Sequence, residues 1–153
     1  MDRTFWSMND VLDFAVAREV EANQFYMGLA TRTQVPAMRK VFQDFAGEER
    51  SHQAKLEAVR RGEYRFEIKA GAVQGLGLAE YLVEGELTPD MSYPEALVLA
   101  MKKEKASYKL YMDLAALAED VATQGLFLAL AGEEAKHKLR FEIEYDDYML
   151  KES

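Results

Sequence analysis

The sequence predicts an all-α protein, a four-helix bundle made of two helical hairpins joined by a long crossover. Three observations predict this class. Apolar residues recur at intervals of three and four along four long stretches, which is the spacing of one helix face. Turn signals and a glycine-rich segment separate these stretches. The second half of the chain also repeats the pattern of the first half.

The first two stretches predict a helical hairpin. Ser7, with Asp10 three residues later, resembles a capping box, and the apolar pattern continues from there to about Thr31. Pro36 suits the first turn of a second helix, and Gly62 is typical of a helix end. Because only a short turn separates these two long helices, they must lie antiparallel.

The second hairpin follows a segment without helical periodicity. Residues 63–91 contain scattered glycines and are predicted to cross over along the bundle, with a short helix from Leu76 to Val83. Ser92 is the predicted cap of a third helix. After a turn near residues 118–120, a fourth helix is expected to extend through Tyr148.

Length and composition limit the class of protein. A chain of 153 residues suffices for one domain with a core, so residues 1–153 are predicted to form a single domain. The net charge of -8 opposes binding to nucleic acid or to anionic membranes. Neither a membrane span nor a signal peptide is recognisable, which predicts a cytoplasmic protein. The absence of cysteine excludes disulfides and thiolate metal sites.

Six polar residues interrupt the apolar inner faces of the predicted helices. They form three pairs, and the members of each pair are separated by 85 positions. Each of the two histidines follows a glutamate by three residues, which places both side chains on one helix face. The six residues are Glu19, Glu49, His52, Glu104, Glu134 and His137.

These residue types together predict a dinuclear metal site. Bare carboxylates buried in one layer of a bundle cost several kcal/mol each, whereas two divalent cations neutralise four of them. Carboxylate and imidazole ligands suit iron, and manganese is the alternative. One glutamate from each of two helices, plus Glu-x-x-His from each of the other two, is the di-iron pattern of ferritin-like bundles. We therefore predict two Fe ions.

Four further residues lie beside the predicted ligands. Tyr26 and Tyr111 follow Glu19 and Glu104 by two helical turns. Their hydroxyls either hydrogen-bond ligand carboxylates, in support of catalysis, or belong to core aromatic residues, and both alternatives stay open. The side chains adjacent to the ligands on the second and fourth helices are expected to be exposed; these are Glu48 and Glu133.

Four motifs of this sequence together resemble those of the rubrerythrin branch of the ferritin-like superfamily. They are Glu19-x-x-Ala22-x-x-x-Tyr26, Glu49-x-x-His52, Glu104 with Tyr111, and Glu134-x-x-His137. The resemblance covers nearly the whole chain. It implies that Glu19 and Glu104 are ligands from the first and third helices. It also implies that Glu49 and Glu134 bridge the metals and that His52 and His137 each ligate one. Rubrerythrins are associated with reduction of hydrogen peroxide at a di-iron centre, and relatives with ferroxidase or iron-storage activity.

Two departures from this family affect the expected activity. Rubrerythrins usually carry a rubredoxin domain whose cysteines bring in electrons, and this chain has no cysteine. An electron donor would then be a separate molecule, such as a rubredoxin-type protein. Peroxide-reducing members also tend to have an extra glutamate three residues after the third-helix ligand, where this chain has Ser107. The ligand set is therefore more symmetric and closer to that of ferroxidase-like relatives.

Three classes of function stay open from the sequence. The leading hypothesis is a di-iron oxidoreductase that reduces hydrogen peroxide or dioxygen with an external electron donor. The alternative is a ferroxidase, iron-storage or iron-sensing protein without catalytic turnover. A metal-free interaction module is the third class, and it predicts that Glu49→Ala and Glu134→Ala stabilise the fold. The resemblance also suggests at least a homodimer, in which the long crossover favours exchange of helices between chains.

Overall fold

Four long α-helices account for most of the structure, a computed structural model that describes residues 7–64, 66–68 and 71–152. The helices are α1 (Met8–Arg32), α2 (Pro36–Arg60), α3 (Tyr93–Leu117) and α4 (Val121–Glu152). α1 packs along α2, and α3 packs along α4. The predicted all-α bundle of two hairpins is confirmed. The expectation about a signal peptide falls largely on residues 1–6, which lie outside the described residues.

Local hydrogen bonds fix the helix ends where the sequence predicts them. The Ser7 hydroxyl accepts from the Asp10 N–H, and the Asp10 carboxylate accepts from the Ser7 N–H, which completes the predicted capping box of α1. The Ser92 hydroxyl accepts from the Glu95 N–H at the start of α3. Gly62 follows α2 with a φ of 80°, a conformation that side chains with a Cβ rarely adopt.

The crossover contains two 3₁₀ turns instead of the predicted short helix. They cover Ala72–Gly75 and Leu78–Tyr81, whereas the sequence predicted one helix over Leu76–Val83. Gly77 interrupts the predicted helix after its first residue, and the two helical runs that form on either side of it are four residues long. Such runs favour i to i+3 hydrogen bonds over a costly α-helical nucleus.

Contacts at both ends of the crossover show that it runs along the length of the bundle. Near its start, the Glu119 N–H at the turn between α3 and α4 donates to the Glu67 carbonyl, with 2.9 Å between the atoms. Near its end, the Arg32 guanidinium at the end of α1 donates to the Met91 carbonyl at 3.3 Å. The expected crossover role of this segment is therefore confirmed.

Two apolar clusters fill the bundle on either side of a polar layer. One cluster includes Leu12, Leu56, Leu114 and Phe127, and the other includes Leu29, Phe42, Leu97 and Phe141. In α1, Glu19 lies between Ala15 of the first cluster and Phe25 of the second. The polar layer is thus closed by apolar packing at both ends, which keeps it in the middle of the bundle.

Candidate metal centre

Each of the four helices contributes to the polar layer. Glu19 comes from α1 and Glu104 from α3, while Glu49 with His52 and Glu134 with His137 come from α2 and α4. All six residues are at most 2% exposed. The three-residue spacing puts each glutamate and its histidine on the same inward face of their helix. The structure therefore brings together all six residues that the sequence singled out.

The six side chains form two overlapping groups, each of which could hold a metal ion. The first consists of Glu19, Glu49, His52 and Glu134, and the second of Glu49, Glu104, Glu134 and His137. Within each group, one ligand atom per residue lies within 4.8 Å of all the others. Glu49 and Glu134 belong to both groups. This overlap is the geometry expected of two ions that share two carboxylates.

The histidine rings present their Nδ1 atoms to these carboxylates. The Nδ1 atom of His52 lies 2.9 Å from Glu134, 3.5 Å from Glu49 and 3.6 Å from Glu19. The Nδ1 atom of His137 lies 3.2 Å from Glu49 and 3.6 Å from Glu104. The two rings are nearly parallel, with an angle of 13° and 6.5 Å between their centroids. Each ring thus faces one of the two groups.

The opposite ring nitrogens contact two glutamates that the sequence analysis did not assign to the site. The Nε2 atom of His137 on α4 lies 2.6 Å from Glu48 of α2, and the Nε2 atom of His52 on α2 contacts Glu133 of α4. Glu48 is exposed as predicted, but Glu133 is half-buried, so the exposure predicted for Glu133 is wrong. The seam between α2 and α4 is narrow enough for each carboxylate to reach the histidine on the facing helix.

The buried polar atoms of the layer provide a test of whether a metal fits. Among the described residues, each of the six has at least one buried side-chain oxygen or nitrogen without a hydrogen-bond partner; these include both oxygens of Glu49, both oxygens of Glu134, and Nδ1 of His52 and His137. Orphaned buried groups of this kind are costly and rare in proteins. Oxygen and imidazole nitrogen are donors that iron and manganese accept. The residues present therefore fit a pair of divalent cations.

Burial raises the pKa of all four carboxyl groups. Burial, followed by the charge of Glu49, raises the pKa of Glu19 to about 8. Burial and the charge of Glu134 raise the pKa of Glu49 to about 7. The pKa values of Glu104 and Glu134 lie well above the usual range, mainly because of burial. The layer therefore holds protons at neutral pH unless cations replace them.

Burial acts on the pKa of the two histidines in the opposite direction, but the nearby carboxylates outweigh it. Burial alone lowers the pKa of His52, but the carboxylates of Glu134 and Glu19 outweigh it and raise this pKa to about 12. Burial also lowers the pKa of His137, and the carboxylate of Glu49 reverses the effect and raises it. In the absence of metal, the neighbouring carboxylates therefore favour the charged form of both imidazoles.

The two tyrosines differ in their contacts. The Tyr111 hydroxyl of α3 donates to the Glu19 carboxylate of α1, and burial raises the pKa of Tyr111 well above its usual value. The Tyr26 hydroxyl is buried and, among the described residues, has no hydrogen-bond partner. Its ring packs instead against Phe141, with 5.4 Å between centroids. The contact with a candidate ligand carboxylate is thus present for Tyr111 and absent for Tyr26.

Comparison with solved structures identifies the class of fold. A protein from Thermotoga maritima, provisionally described as a ferritin-like diiron-carboxylate protein, is similar with a TM-score of 0.78 at 21% identity, covering 96% of this chain and 99% of that one. A hypothetical protein from Pyrococcus furiosus is similar with a TM-score of 0.71 at 22% identity, covering 92% and 89%. The bundle and its buried cluster therefore define a protein of the ferritin-like fold.

The amino-acid sequence is also similar to a known family over part of its length. The rubrerythrin family model matches residues 10–73, a segment that holds most of α1, all of α2 and three of the six clustered residues. No match was found among curated protein sequences. Over this segment the chain is similar to rubrerythrins, and the chain as a whole has the ferritin-like fold. The buried cluster of glutamates and histidines forms two groups that could hold metal ions. Within the described residues, no helix is long and apolar enough to cross a membrane.

Proposed function

We propose that this protein is a di-iron carboxylate oxidoreductase, which reduces hydrogen peroxide or dioxygen with electrons from an external donor. The observation that carries the proposal is the pair of overlapping ligand groups that share Glu49 and Glu134. One ion would be held by Glu19 and His52 and the other by Glu104 and His137, with the shared carboxylates between them. Manganese fits the same donors.

The charges of the layer support two ions. Four buried carboxylates carry four negative charges once their protons leave, and two divalent cations carry four positive charges. The loaded site is then neutral, which removes the cost of burying bare charge. A single divalent ion would leave two of the carboxylates without compensation unless they kept their protons.

Bound iron would supply a two-electron change, in which two Fe(II) become two Fe(III), and with two protons this reduces one hydrogen peroxide to two water molecules. The same electrons and protons reduce one dioxygen to hydrogen peroxide. The protein holds the histidines from outside through Glu48 and Glu133 and holds Glu19 through Tyr111. These contacts fix the ring and carboxylate orientations, as outer hydrogen bonds do at other metal sites.

A complete turnover requires partners outside this chain. Two electrons must return the iron to Fe(II), and a small redox protein of the rubredoxin type is the proposed donor. We also propose that the protein is a homodimer or a larger homo-oligomer and that it is located in the cytoplasm.

A second candidate function has a specific observation in its favour. Ser107 occupies the position three residues after Glu104 at which the resemblance to peroxide-reducing rubrerythrins implies an additional carboxylate. With that ligand absent, the set is symmetric, as in ferroxidase-like relatives. In this alternative, Fe(II) is the substrate, and its oxidation serves iron storage or sensing without catalytic turnover.

An anaerobic titration separates the two functions. The metal-free protein is loaded with two equivalents of Fe(II) and mixed with hydrogen peroxide, first alone and then with a rubredoxin and its reductase. The oxidoreductase is expected to consume many equivalents of peroxide per site when the donor is present. A single oxidation without turnover, under this and other electron donors, would support the ferroxidase alternative. Failure to bind iron at all would exclude both functions.

A further inference from the structure

A row of aromatic rings connects His137 of the candidate metal layer with one end of the bundle. Its first contact is the stacked pair of His137 and Phe45, with 4.0 Å between the ring centroids. The next four contacts have centroid distances of 5.5, 5.9, 6.4 and 5.4 Å, as packed aromatic pairs do. They join Phe45 to Phe141, Phe141 to Phe42, Phe42 to Tyr93, and Tyr93 to Tyr148. We refer to these rings as the aromatic row.

The internal repeat of the chain does not require this row. The residues that lie 85 positions from Phe45, Phe141 and Tyr93 are Leu130, Leu56 and Met8. These aliphatic side chains belong to the apolar cluster at the other end of the bundle, where they bury apolar surface as rings do. Among the described residues, the His52 ring contacts no ring other than that of His137. Core packing alone therefore does not explain why connected rings occur at one end only.

The outer end of the row reaches the surface. Tyr93 and Tyr148 line a cavity of about 330 Å³ at the turn between α1 and α2. Val35 and Lys151 line the same cavity and are exposed, so molecules in solution can contact the outer tyrosines. Seven residues of α4 separate His137 from the residue that Tyr93 contacts, which corresponds to about 10 Å along the bundle.

The hydroxyl of Tyr93 has a proton acceptor. It donates to a carboxylate oxygen of Glu144 on α4, with 2.8 Å between the atoms. Burial, followed by the hydrogen bond to this carboxylate, raises the pKa of Tyr93. The phenol is therefore protonated at neutral pH and must release its proton when it loses an electron. Glu144 lies within the distance that direct proton transfer requires.

The two tyrosines beside the layer are less suited to oxidation. The Tyr26 ring lies 6.2 Å from the His137 ring, but its buried hydroxyl has no hydrogen-bond partner among the described residues. Its proton would thus have no acceptor. Tyr111 donates to Glu19, but this carboxylate is a weaker base once it binds a cation. Glu144 belongs to neither of the two candidate ligand groups.

We propose that the aromatic row carries oxidising equivalents away from the metal layer and that Tyr93 is the residue they oxidise. This inference rests on the proposed function and concerns a layer in which hydrogen peroxide meets only one Fe(II). Peroxide then takes one electron from Fe(II), the second from Tyr93 through the row, and two protons from solvent, and it becomes two water molecules. Fe(II) becomes Fe(III), the Tyr93 proton passes to Glu144, and Tyr93 becomes a neutral radical.

Reductants in solution reset the outer end of the row. A one-electron reductant such as ascorbate enters the cavity and returns an electron to Tyr93, which takes its proton back from Glu144. Side chains around the metal layer are then spared from oxidation. The two tyrosines at the cavity thus provide a site where oxidation is reversible.

Electron paramagnetic resonance of rapidly frozen protein tests this inference without turnover. The metal-free protein is loaded with one equivalent of Fe(II) under anaerobic conditions, mixed with one equivalent of hydrogen peroxide and frozen. A tyrosyl radical gives a signal whose hyperfine splitting narrows when ring-deuterated tyrosine is incorporated. Iron-free protein mixed with peroxide is the control for radicals that form without the metal layer.

The internal repeat supplies a matched pair of variants. Phe42→Leu interrupts the row, whereas Phe127→Leu makes the same change at the buried position 85 residues later, outside the row. Tyr93→Phe keeps the ring and removes the hydroxyl, and Tyr64→Phe does the same at an exposed tyrosine. Glu144→Gln removes the proton acceptor.

The tyrosyl signal is expected in the wild type, Phe127→Leu and Tyr64→Phe. Tyr93→Phe and Phe42→Leu should lose it, and Glu144→Gln should lose most of it. Ascorbate should abolish the signal of the wild type. In Phe42→Leu, peptide mass spectrometry should find more oxidised side chains around the metal layer than in the wild type. The amount of bound Fe(II) and the helical circular dichroism should be the same in all of these proteins.

A tyrosyl signal of wild-type intensity in folded, iron-loaded Tyr93→Phe would overturn the inference, as would an equal loss of signal in Phe42→Leu and Phe127→Leu. Formation of Fe(III) in the wild type without a tyrosyl signal would also overturn it and leave the proposed function intact. Failure of the wild type to bind iron, or to oxidise it with peroxide, would overturn the proposed function and this inference together. If Phe42→Leu does not fold, Phe141→Leu interrupts the row at the adjacent ring and decides the result.

Discussion

The Nε2 atom of His137 lies 2.6 Å from the Oε2 atom of Glu48, so a residue of α4 is held by a carboxylate of α2. The equivalent contact joins His52 of α2 to Glu133 of α4. Each hairpin therefore positions the histidine of the other. Since Nε2 is engaged outside the layer, Nδ1 is the nitrogen that faces the carboxylate cluster.

Loss of these outer carboxylates should weaken metal binding without unfolding the bundle. We expect Glu48→Ala and Glu133→Ala each to lower the affinity for Co(II) by roughly 10- to 100-fold, because the ring orientation and basicity are no longer fixed. Glu48→Gln, which keeps an acceptor oxygen, should lose less affinity than Glu48→Ala. Competition with a chromophoric chelator measures these affinities.

The control for this comparison is Asp44→Asn, which removes an exposed carboxylate of α2 that pairs only with Lys40 among the described residues. Its Co(II) affinity should equal that of the wild type. Equal affinities for the wild type and Glu48→Ala would show that the contact between Glu48 and His137 does not position the ring.

Loss of a carboxylate that belongs to both groups should weaken the binding of both metal ions. Loss of a carboxylate that belongs to one group should weaken the binding of one ion. Glu19 belongs to the first group only, whereas Glu49 belongs to both. We expect Glu19→Gln to retain about one Co(II) per chain and Glu49→Gln to retain little of either ion, since bridging ligands hold both ions of a pair. Metal analysis after gel filtration gives the stoichiometry.

Glu142→Gln is the matched control, because Glu142 lies on α4 and pairs with Lys138 outside the layer. Two ions per chain are expected for this variant. The same loss of metal in Glu19→Gln and Glu49→Gln would contradict the division into two overlapping groups.

The fold was predictable because most of its determinants are local. Helix faces follow from apolar residues at intervals of three and four, and capping residues mark helix ends. The first helix, for example, was predicted to end at about Thr31, and α1 ends at Arg32. The six clustered residues were also visible, because charge on an otherwise apolar face has few explanations. Their assignment as metal ligands stays a prediction.

The features that sequence analysis missed depend on distances between elements. The reach of Glu48 and Glu133 to the facing histidines depends on the separation of α2 and α4, which no local pattern contains. Two signals were available in the sequence: Glu48 and Glu133 are separated by 85 positions, and each lies four residues before a histidine. The difference between Tyr26 and Tyr111 breaks the internal repeat, and only packing from several helices determines it.

This difference between the tyrosines makes a prediction about stability. Tyr111→Phe removes the donor to a buried oxygen of Glu19, and an unsatisfied buried acceptor costs about 1–3 kcal/mol. Tyr26→Phe removes a hydroxyl that has no partner among the described residues, so its free energy of unfolding should stay equal or rise. Urea denaturation of the metal-free proteins measures both values. An equal loss of stability in the two variants would argue against the contact between Tyr111 and Glu19.

The carboxylate layer also predicts how the stability of the metal-free protein depends on pH. Burial raises the pKa of Glu19 to about 8 and that of Glu49 to about 7 from the ordinary value of 4.5, so the folded state binds more protons than the unfolded state between these limits. A raised folded-state pKa contributes stability that is present below the unfolded-state value and is lost as the pH rises through the folded-state value. The free energy of unfolding should therefore fall between pH 5 and pH 8.

One additional bound proton corresponds to a slope of about 1.4 kcal/mol per pH unit, so the fall should be evident in urea titrations at pH 5, 6, 7 and 8. Glu19→Gln should reduce the slope, because an amide does not titrate. Protein loaded with Co(II) should show the opposite trend, since metal ions replace protons and bind more tightly as the pH rises. A metal-free protein that becomes more stable from pH 5 to pH 8 would show that the buried carboxylates are ionised and already compensated by the histidines.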